Sequence, residues 1–280
     1  MKTRIIVDST ADLMPEFKSR VHTVPLTLRF GDEEYIDSVT IDHKTFYEKL
    51  IESDILPTTS QATPDAFIKE FEKAKKVGEA AVVITLSSNF SGTYQSALIA
   101  AEDYENIFIV DSGSAAMGSG ILVELAFEML DQGKSAEEIA RALEEEKKKI
   151  VIVALVDTLE YLKKGGRISS AVAFAGTLLS IKPIVGIRNS ELSMISKARG
   201  MRNGGRRLME LIRQGKGINF EKPFVLAHTG LSDPPLRKFL EDFSEMIESK
   251  VEMQPLCRIG STIGAHAGPG AIGLAYFEKE

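Results

Sequence analysis

The feature that most constrains this chain is a plan repeated three times in its first half: a short apolar strand, a loop rich in hydroxyls or aspartate, then a run with helical spacing. Ala80 to Leu86 (AAVVITL) leads through Ser87, Ser88, Ser91, Gly92 and Thr93 into Tyr94 to Ala101. Arg4 to Val7 leads through Asp8-Ser9-Thr10 toward Ala11, Leu13 and Phe17, and Ile107 to Val110 leads through Asp111-Ser112-Gly113-Ser114 into Ala115 to Asp131. Repetition of this unit predicts a parallel sheet covered by helices, with ligands gathering beyond the carboxyl ends of its strands. The loop before Tyr94 suits an anion, because a helix start has unpaired N–H groups and the positive end of the macrodipole. The same serines and threonine also suit ordinary helix capping, and the residues alone leave both readings open.

Between the first two units, His22 to Tyr35 alternates and turns at Gly31-Asp32, predicting a hairpin insertion. Asp42 to Ser53 and Thr63 to Val77 read as helices, the second with Pro64 in its first turn and Phe67, Ile68 and Phe71 on one face. Pro57-Thr-Thr-Ser-Gln61 is a second hydroxyl cluster, at the entrance to that helix. Ser135 to Lys149 reads as a charged helix and Val151 to Val156 as a buried strand.

The pattern changes near Asp157. A short helix to Lys163 ends in Lys164-Gly-Gly-Arg167, and Ala171 to Leu179 is a strongly apolar helix. Lys182 to Arg188 and Leu192 to Lys197 form a hairpin across Asn189-Ser190-Glu191. Met201 to Gly215 is a basic helix, Phe224 to His228 a strand, Pro235 to Ser249 an amphipathic helix, and Val251 to Ile259 and Ala271 to Phe277 are strands. The expected fold is α/β in two domains: residues 1–150, a parallel-sheet domain with a small hairpin insertion, and residues 151–280, an α+β domain with a mixed sheet.

Composition removes several function classes. A length of 280 residues with 44% apolar side chains permits a large core, and a net charge of −6 offers no general basic field for nucleic acid. One cysteine, Cys257, makes neither an internal disulfide nor a thiolate metal cluster, and MKTRIIVDST lacks the apolar core of a signal peptide. No apolar run approaches the roughly 18 residues of a membrane helix. A cytoplasmic protein without membrane insertion, and a monomer, is expected.

Four histidines, His22, His43, His228 and His266, stand far apart without metal-ligand spacing, so no metal is expected. Gly268 to Gly273 (GPGAIG) matches a dinucleotide fingerprint as a string but precedes no helix, and only seven residues follow it. No strained GxSxG elbow marks a serine nucleophile. Asp8 has no second aspartate two residues on, so capping is preferred for it over phosphoryl chemistry. His266 lies among small residues, in Gly260 to Gly270, where backbone and ligand can approach closely. The residues leave it open between pairing an anion and satisfying loop carbonyls. His228, on an apolar strand, reads as core.

Taken together, IVDSTADL (Ile6 to Leu13), TTSQAT (Thr58 to Thr63), LSSNFSGTYQSA (Leu86 to Ala97), VDS (Val110 to Ser112), LKKGGRIS (Leu162 to Ser169) and IGAHAGPGAIG (Ile263 to Gly273) resemble the DegV family of bacterial fatty-acid-binding proteins. The resemblance runs the full length. It implies a two-domain carrier without catalytic residues or cofactor, holding one long-chain fatty acid such as palmitate between its domains. It also implies presentation of that acid to a fatty-acid kinase for acyl-phosphate formation. Carried over by motif, the carboxylate ligands are Thr59, Ser91 and His266. One departure is Ala62, where many relatives have proline, which implies a slightly more mobile loop.

Candidate tunnel-lining residues are Phe90, Met117, Ile121, Phe174, Leu178 and Ile184. Lys163, Lys164, Arg167, Arg199, Arg202, Arg206 and Arg207 form the local basic concentration, of which Arg167, Arg199 and Arg202 are candidates for docking the kinase. A solvated basic helix is the plainer reading of the same charges. The alternative to a carrier is a small-molecule hydrolase or phosphotransferase using Asp8, Asp111 and His266.

Overall fold

A computed structural model describes residues 1–168, 180–232, 234–243 and 256–280. The chain begins with β1 (Thr3–Asp8), α1 (Pro15–Lys18), β2 (Val21–Val24), β3 (Thr27–Phe30), β4 (Glu33–Ile36) and α2 (His43–Glu52). It continues through β5 (Thr58–Ser60), α3 (Pro64–Lys76), β6 (Ala80–Thr85), α4 (Thr93–Ala101), β7 (Ile107–Asp111), α5 (Ala116–Asp131) and α6 (Ala136–Glu146). There follow β8 (Ile150–Leu155), α7 (Glu160–Lys164), β9 (Ile181–Arg188), β10 (Glu191–Arg199), α8 (Gly200–Gln214) and β11 (Phe224–His228). Last come α9 (Pro234–Phe243), β12 (Cys257–Arg258), α10 (Ser261–Ala267) and β13 (Ile272–Phe277). The predicted apolar helix over Ala171 to Leu179, with Phe174 and Leu178, lies outside the described residues.

The expected parallel sheet is present, in the order β2-β1-β6-β7. Every residue of β6 is buried, as a strand covered on both faces requires. The second sheet, β10-β9-β8-β13-β11-β12, is mixed: β11 and β12 run parallel and its other neighbours antiparallel. Its β9–β10 turn places Asn189 and Ser190 at φ 49° and 62°, the paired positive values of a tight hairpin. Between the sheets lies α5, buried over most of its circumference because its sequence is apolar nearly all round. One core cluster joins Ile5 and Val82 of the first sheet, Ile121 of α5, and Ile152 and Ala275 of the second.

Several local expectations give way to long-range pairing. The run His22 to Tyr35 is not one hairpin: β2 pairs parallel with β1, and only β3 and β4 turn at Gly31-Asp32. The Thr58 hydroxyl cluster is a strand, β5, because Thr58 to Ser60 pair with Arg29 to Thr27 of β3. After Asp8 the helix is reduced to the four residues of α1, with Pro15 at its first position. Ile68 is 37% exposed while Phe67 and Phe71 are fully buried, since a step of about 100° carries residue 68 off the face that 67 and 71 share.

Candidate functional site

A cavity of about 1060 Å³, open mouth included, lies between the loops of the first sheet, the inner face of the second, α5 and α10. Thr59, Ser91 and His266, far apart in sequence, all line it. Thr59 Oγ1 and His266 Nε2 are 2.8 Å apart, a direct hydrogen bond. Most of the remaining wall is aliphatic, including Leu86, Met117, Ile152, Val185, Ile187 and Ile259.

The two hydroxyl loops are clamped together. Gln61 Nε2 donates to Ser96 Oγ at 2.9 Å and crosses Gly92, where a Cβ would stand 2.1 Å from Gln61 Oε1. Ala62 N donates to Thr93 Oγ1 at 3.3 Å, and Thr93 Oγ1 lies 2.9 Å from Ser91 Oγ. The N–H that proline would lack is therefore engaged, so Ala62 ties its loop to α4 rather than loosening it. The start of α4 has no side-chain cap on Gly92; Thr93 N donates instead to Ser91 Oγ at 3.2 Å.

His266 arrives by a route the sequence did not suggest. Gly260 to Gly270 reads as a glycine-rich loop, but Ser261–Ala267 is helical and places His266 in its last turn. Three hydrogen bonds, two of them buried and one partly so, hold this short helix at its other end. Gly260 N donates to Asp12 Oδ1 at 2.7 Å, Thr262 Oγ1 donates to Asp37 Oδ2 at 2.6 Å, and Tyr47 Oη donates to the Ile259 carbonyl at 3.0 Å. At its carboxyl end the imidazole lies against Gly165, where a Cβ would stand 2.2 Å from Nδ1. That nitrogen is buried and has no hydrogen-bond partner among the described residues.

Arg167 is the residue whose place differs most from expectation. It lines the cavity rather than standing out as a docking charge. Its Nε donates to the Phe90 carbonyl at 3.1 Å and its Nη1 to the Gly165 carbonyl at 2.6 Å. Burial, with a smaller contribution from the Arg167 charge, pushes the His266 imidazole down to about 4. The ring is neutral at pH 7, and the positive charge at this end of the cavity is the guanidinium. Arg199 and Arg202 are exposed at the junction of β10 and α8.

Of the candidate lining residues, Phe90 and Met117 line the cavity, whereas Ile121 and Ile184 do not. Ile121 sits a full turn beyond Met117, in the core shared by the two sheets. Ile184 points to the opposite face of β9, into the cluster with Leu155, Leu208 and Ile212, so its neighbour Val185 meets the cavity. His228, read as plain core, is 3% exposed and also part of the cavity wall.

The carboxylates of the rival enzyme reading are engaged elsewhere. Asp8 accepts from Thr10 N, Thr10 Oγ1 and Leu86 N at 2.9, 2.6 and 2.7 Å, tying β1 to the end of β6. Burial raises its pKa. It caps no helix. Asp111 accepts from Gly113 N at 2.8 Å and Ser88 N at 3.2 Å. Neither lines the cavity with His266. Among the described residues no group of three or more His, Cys, Asp or Glu is placed to hold a metal, and no helix is long and apolar enough to cross a membrane. The string Gly268 to Gly273 runs out of α10 into β13, with Gly268 and Gly270 at positive φ, and opens no nucleotide-binding helix.

Comparison with known proteins matches this arrangement along the whole chain. A DegV domain-containing protein of Caldanaerobacter subterraneus subsp. tengcongensis is 35% identical, aligned over 99% of each chain. A DegV family protein from Thermus thermophilus, whose structure is described as showing fatty acid binding, superposes with a TM-score of 0.87 at 29% identity, covering 100% of both chains. A stearic-acid-binding protein from Eubacterium ventriosum gives a TM-score of 0.88 at 26% identity, over 100% of this chain and 99% of its own. The model of a family described as uncharacterised protein, DegV family, matches residues 2–279, and the chain belongs to that family.

Proposed function

We propose that the protein binds one long-chain fatty acid in this cavity, between a unit of residues 1–150 and a unit of residues 151–280, and takes no catalytic part itself. The observation that carries this reading is the division of the cavity: a polar cluster of Thr59, Ser91, His266 and Arg167, and a mostly aliphatic wall elsewhere, interrupted by His228, Thr229 and Thr262. The fatty acid binding described for the Thermus thermophilus relative supports the ligand class.

The chemistry of each part follows. A carboxylate taken from water must have its oxygens satisfied. With the neutral imidazole donating Nε2–H to Thr59 Oγ1, the Thr59 and Ser91 hydroxyls are the donors left for the carboxylate, and the Arg167 guanidinium supplies compensating charge without a lysine's larger desolvation cost. The acyl chain contributes about 0.8 kcal/mol per buried methylene, on the order of 10 kcal/mol for a long chain before ordering costs. Affinity therefore resides mainly in the tail and orientation in the head group.

Presentation to a kinase completes the reading. An enzyme bringing a nucleotide phosphate carries negative charge, and exposed Arg199 and Arg202 offer it a basic face in an otherwise acidic chain. Native mass spectrometry of freshly purified protein tests the carrier role: a co-purifying acid of long chain length is expected. Ligand-free protein that also fails to take up fatty acid after addition would reject it. For the docking face, Arg202→Glu is expected to slow kinase-dependent phosphorylation of the bound acid while lipid retention persists.

A further inference from the structure

The strand register builds a trough across the inner face of the second sheet. Val185, Ala154, Gly273 and Ala227 stand side by side on β9, β8, β13 and β11, and all four line the cavity. Two residues along, the same face carries Ile187 opposite Ile152, and both also line the cavity. The floor thus rises from Gly and Ala to a step of β-branched isoleucines, which are stiff at χ1.

Met117 lies over that floor. A Cβ at Gly273 would stand 2.5 Å from Met117 Cε and 3.2 Å from Ala154 Cβ, so only the bare glycine lets the thioether settle on the sheet. The next residue, Gly118, makes the equivalent space for the step: a Cβ there would stand 2.7 Å from Ile152 Cδ1. The backbone that aims Met117 is fixed, since Ala116 holds φ 53° and its carbonyl accepts Asp12 N at 3.2 Å. A methionine has three rotatable bonds beyond Cα and adapts to shape, so it is the movable part of this wall and Ile152 the immovable part.

We infer that Met117, lying on Gly273 against the Ile152–Ile187 step, sets the length of acyl chain that the cavity accepts. The inference rests on the fatty-acid reading above and extends it from ligand class to chain length. The terminal methyl of the acid meets the thioether, and Met117 yields or blocks according to how far the chain reaches.

Delipidated protein titrated with saturated acids of roughly 12 to 20 carbons tests this, each matched methylene being worth about fourfold in affinity. Met117→Ala removes the three side-chain atoms beyond Cβ and is expected to move the preferred length up by about three carbons. Met117→Phe is expected to move it down. Gly273→Ala lifts the thioether into the lumen and also shortens the preference, and adding Met117→Ala to it is expected to reverse that shift. A general loss of stability would not produce opposite shifts or this reversal. A length profile in Met117→Ala that superimposes on wild type, or the same direction of shift in both Met117 variants, overturns the inference. Wild-type protein that binds no fatty acid would bring down the carrier reading itself, a result distinct from an unchanged profile.

Discussion

Thr59 reaches the cavity from β5 and Ser91 from the loop before α4, and each supplies one hydroxyl that a bound carboxylate would use. Hydrogen bonds to a charged group are worth about 1.5–3 kcal/mol, so Thr59→Ala and Ser91→Ala are each expected to weaken fatty-acid binding roughly 10- to 100-fold. Isothermal titration reads this directly, and wild-type affinity in both would place the head group elsewhere. His266 makes a pH-dependent prediction. Its ring, held to about 4 in the folded protein against an ordinary value near 6.5, stays neutral where the unfolded chain takes up a proton. Its contribution to stability is therefore full above about 6.5 and is lost as pH falls toward about 4. Asp12, raised to about 8 by burial, acts with the opposite sign, so the measurement is the difference between wild type and His266→Asn at each pH. That difference is expected to shrink as pH falls. A bound carboxylate favours the protonated ring, so affinity should tighten over the same range in wild type and not in His266→Asn. At this scale the motifs identified Thr59, Ser91 and His266, and the cavity brings those three together. They did not show that Arg167 faces inward, because a Gly-Gly pair ends a helix without fixing the side on which the next residue emerges. Nor does the unbroken apolar run Ile184-Val185 reveal which residue meets the cavity, since both phases of the strand are apolar.

Among the elements, α10 departs furthest from its sequence. Seven residues containing an internal glycine do not sustain a helix alone, and nothing local announces one. It forms because Asp12, Asp37 and Tyr47, more than 200 positions earlier, hold its amino end, while Gly264 allows Tyr47 to pack directly against it. These partners were not legible in the sequence because each lies on a different, distant segment of the chain. The strand–loop–helix units were legible, since each is specified by its own periodicity. The carboxyl end of α10 depends on Gly165, at φ −71° where alanine meets no backbone strain. An alanine Cβ there would collide with His266 Nδ1, so Gly165→Ala is expected to turn the imidazole out of register. Fatty-acid affinity should fall roughly tenfold or more while the unfolding midpoint changes little. A large loss of stability with affinity preserved in the surviving folded fraction would show that Gly165 serves packing and does not position His266.

Across the whole molecule, the cavity gathers its polar groups from both ends of the chain: Thr59 and Ser91 precede α5, and Arg167 and His266 follow it. The sequence marks α5 as buried, being apolar nearly all round, but not as the partition between two sheets, because burial carries no address. Phe90 links the two regions, its carbonyl accepting from Arg167, and Asn89 Nδ2 donates to the Ser190 carbonyl at the tip of the β9–β10 hairpin. A ligand whose carboxylate lies among these four groups, and whose tail runs along the second sheet as far as Met117, adds contacts that only the assembled molecule offers. Binding to the folded state alone stabilises by about 2.7 kcal/mol at a hundredfold excess over Kd. For a chain of this size that corresponds to a rise in unfolding midpoint of roughly 5 to 10 °C. Differential scanning calorimetry of delipidated protein is expected to show that rise with a long-chain acid and a markedly smaller one with a short-chain acid at equal concentration, because the missing methylenes remove most of the affinity. In Arg167→Gln the rise with the long-chain acid should diminish but persist, since the tail still binds while the charge partner is gone. An equal rise with both acids would mean that the stabilising contact is with the carboxylate alone, and the aliphatic wall would then have no part in holding the ligand.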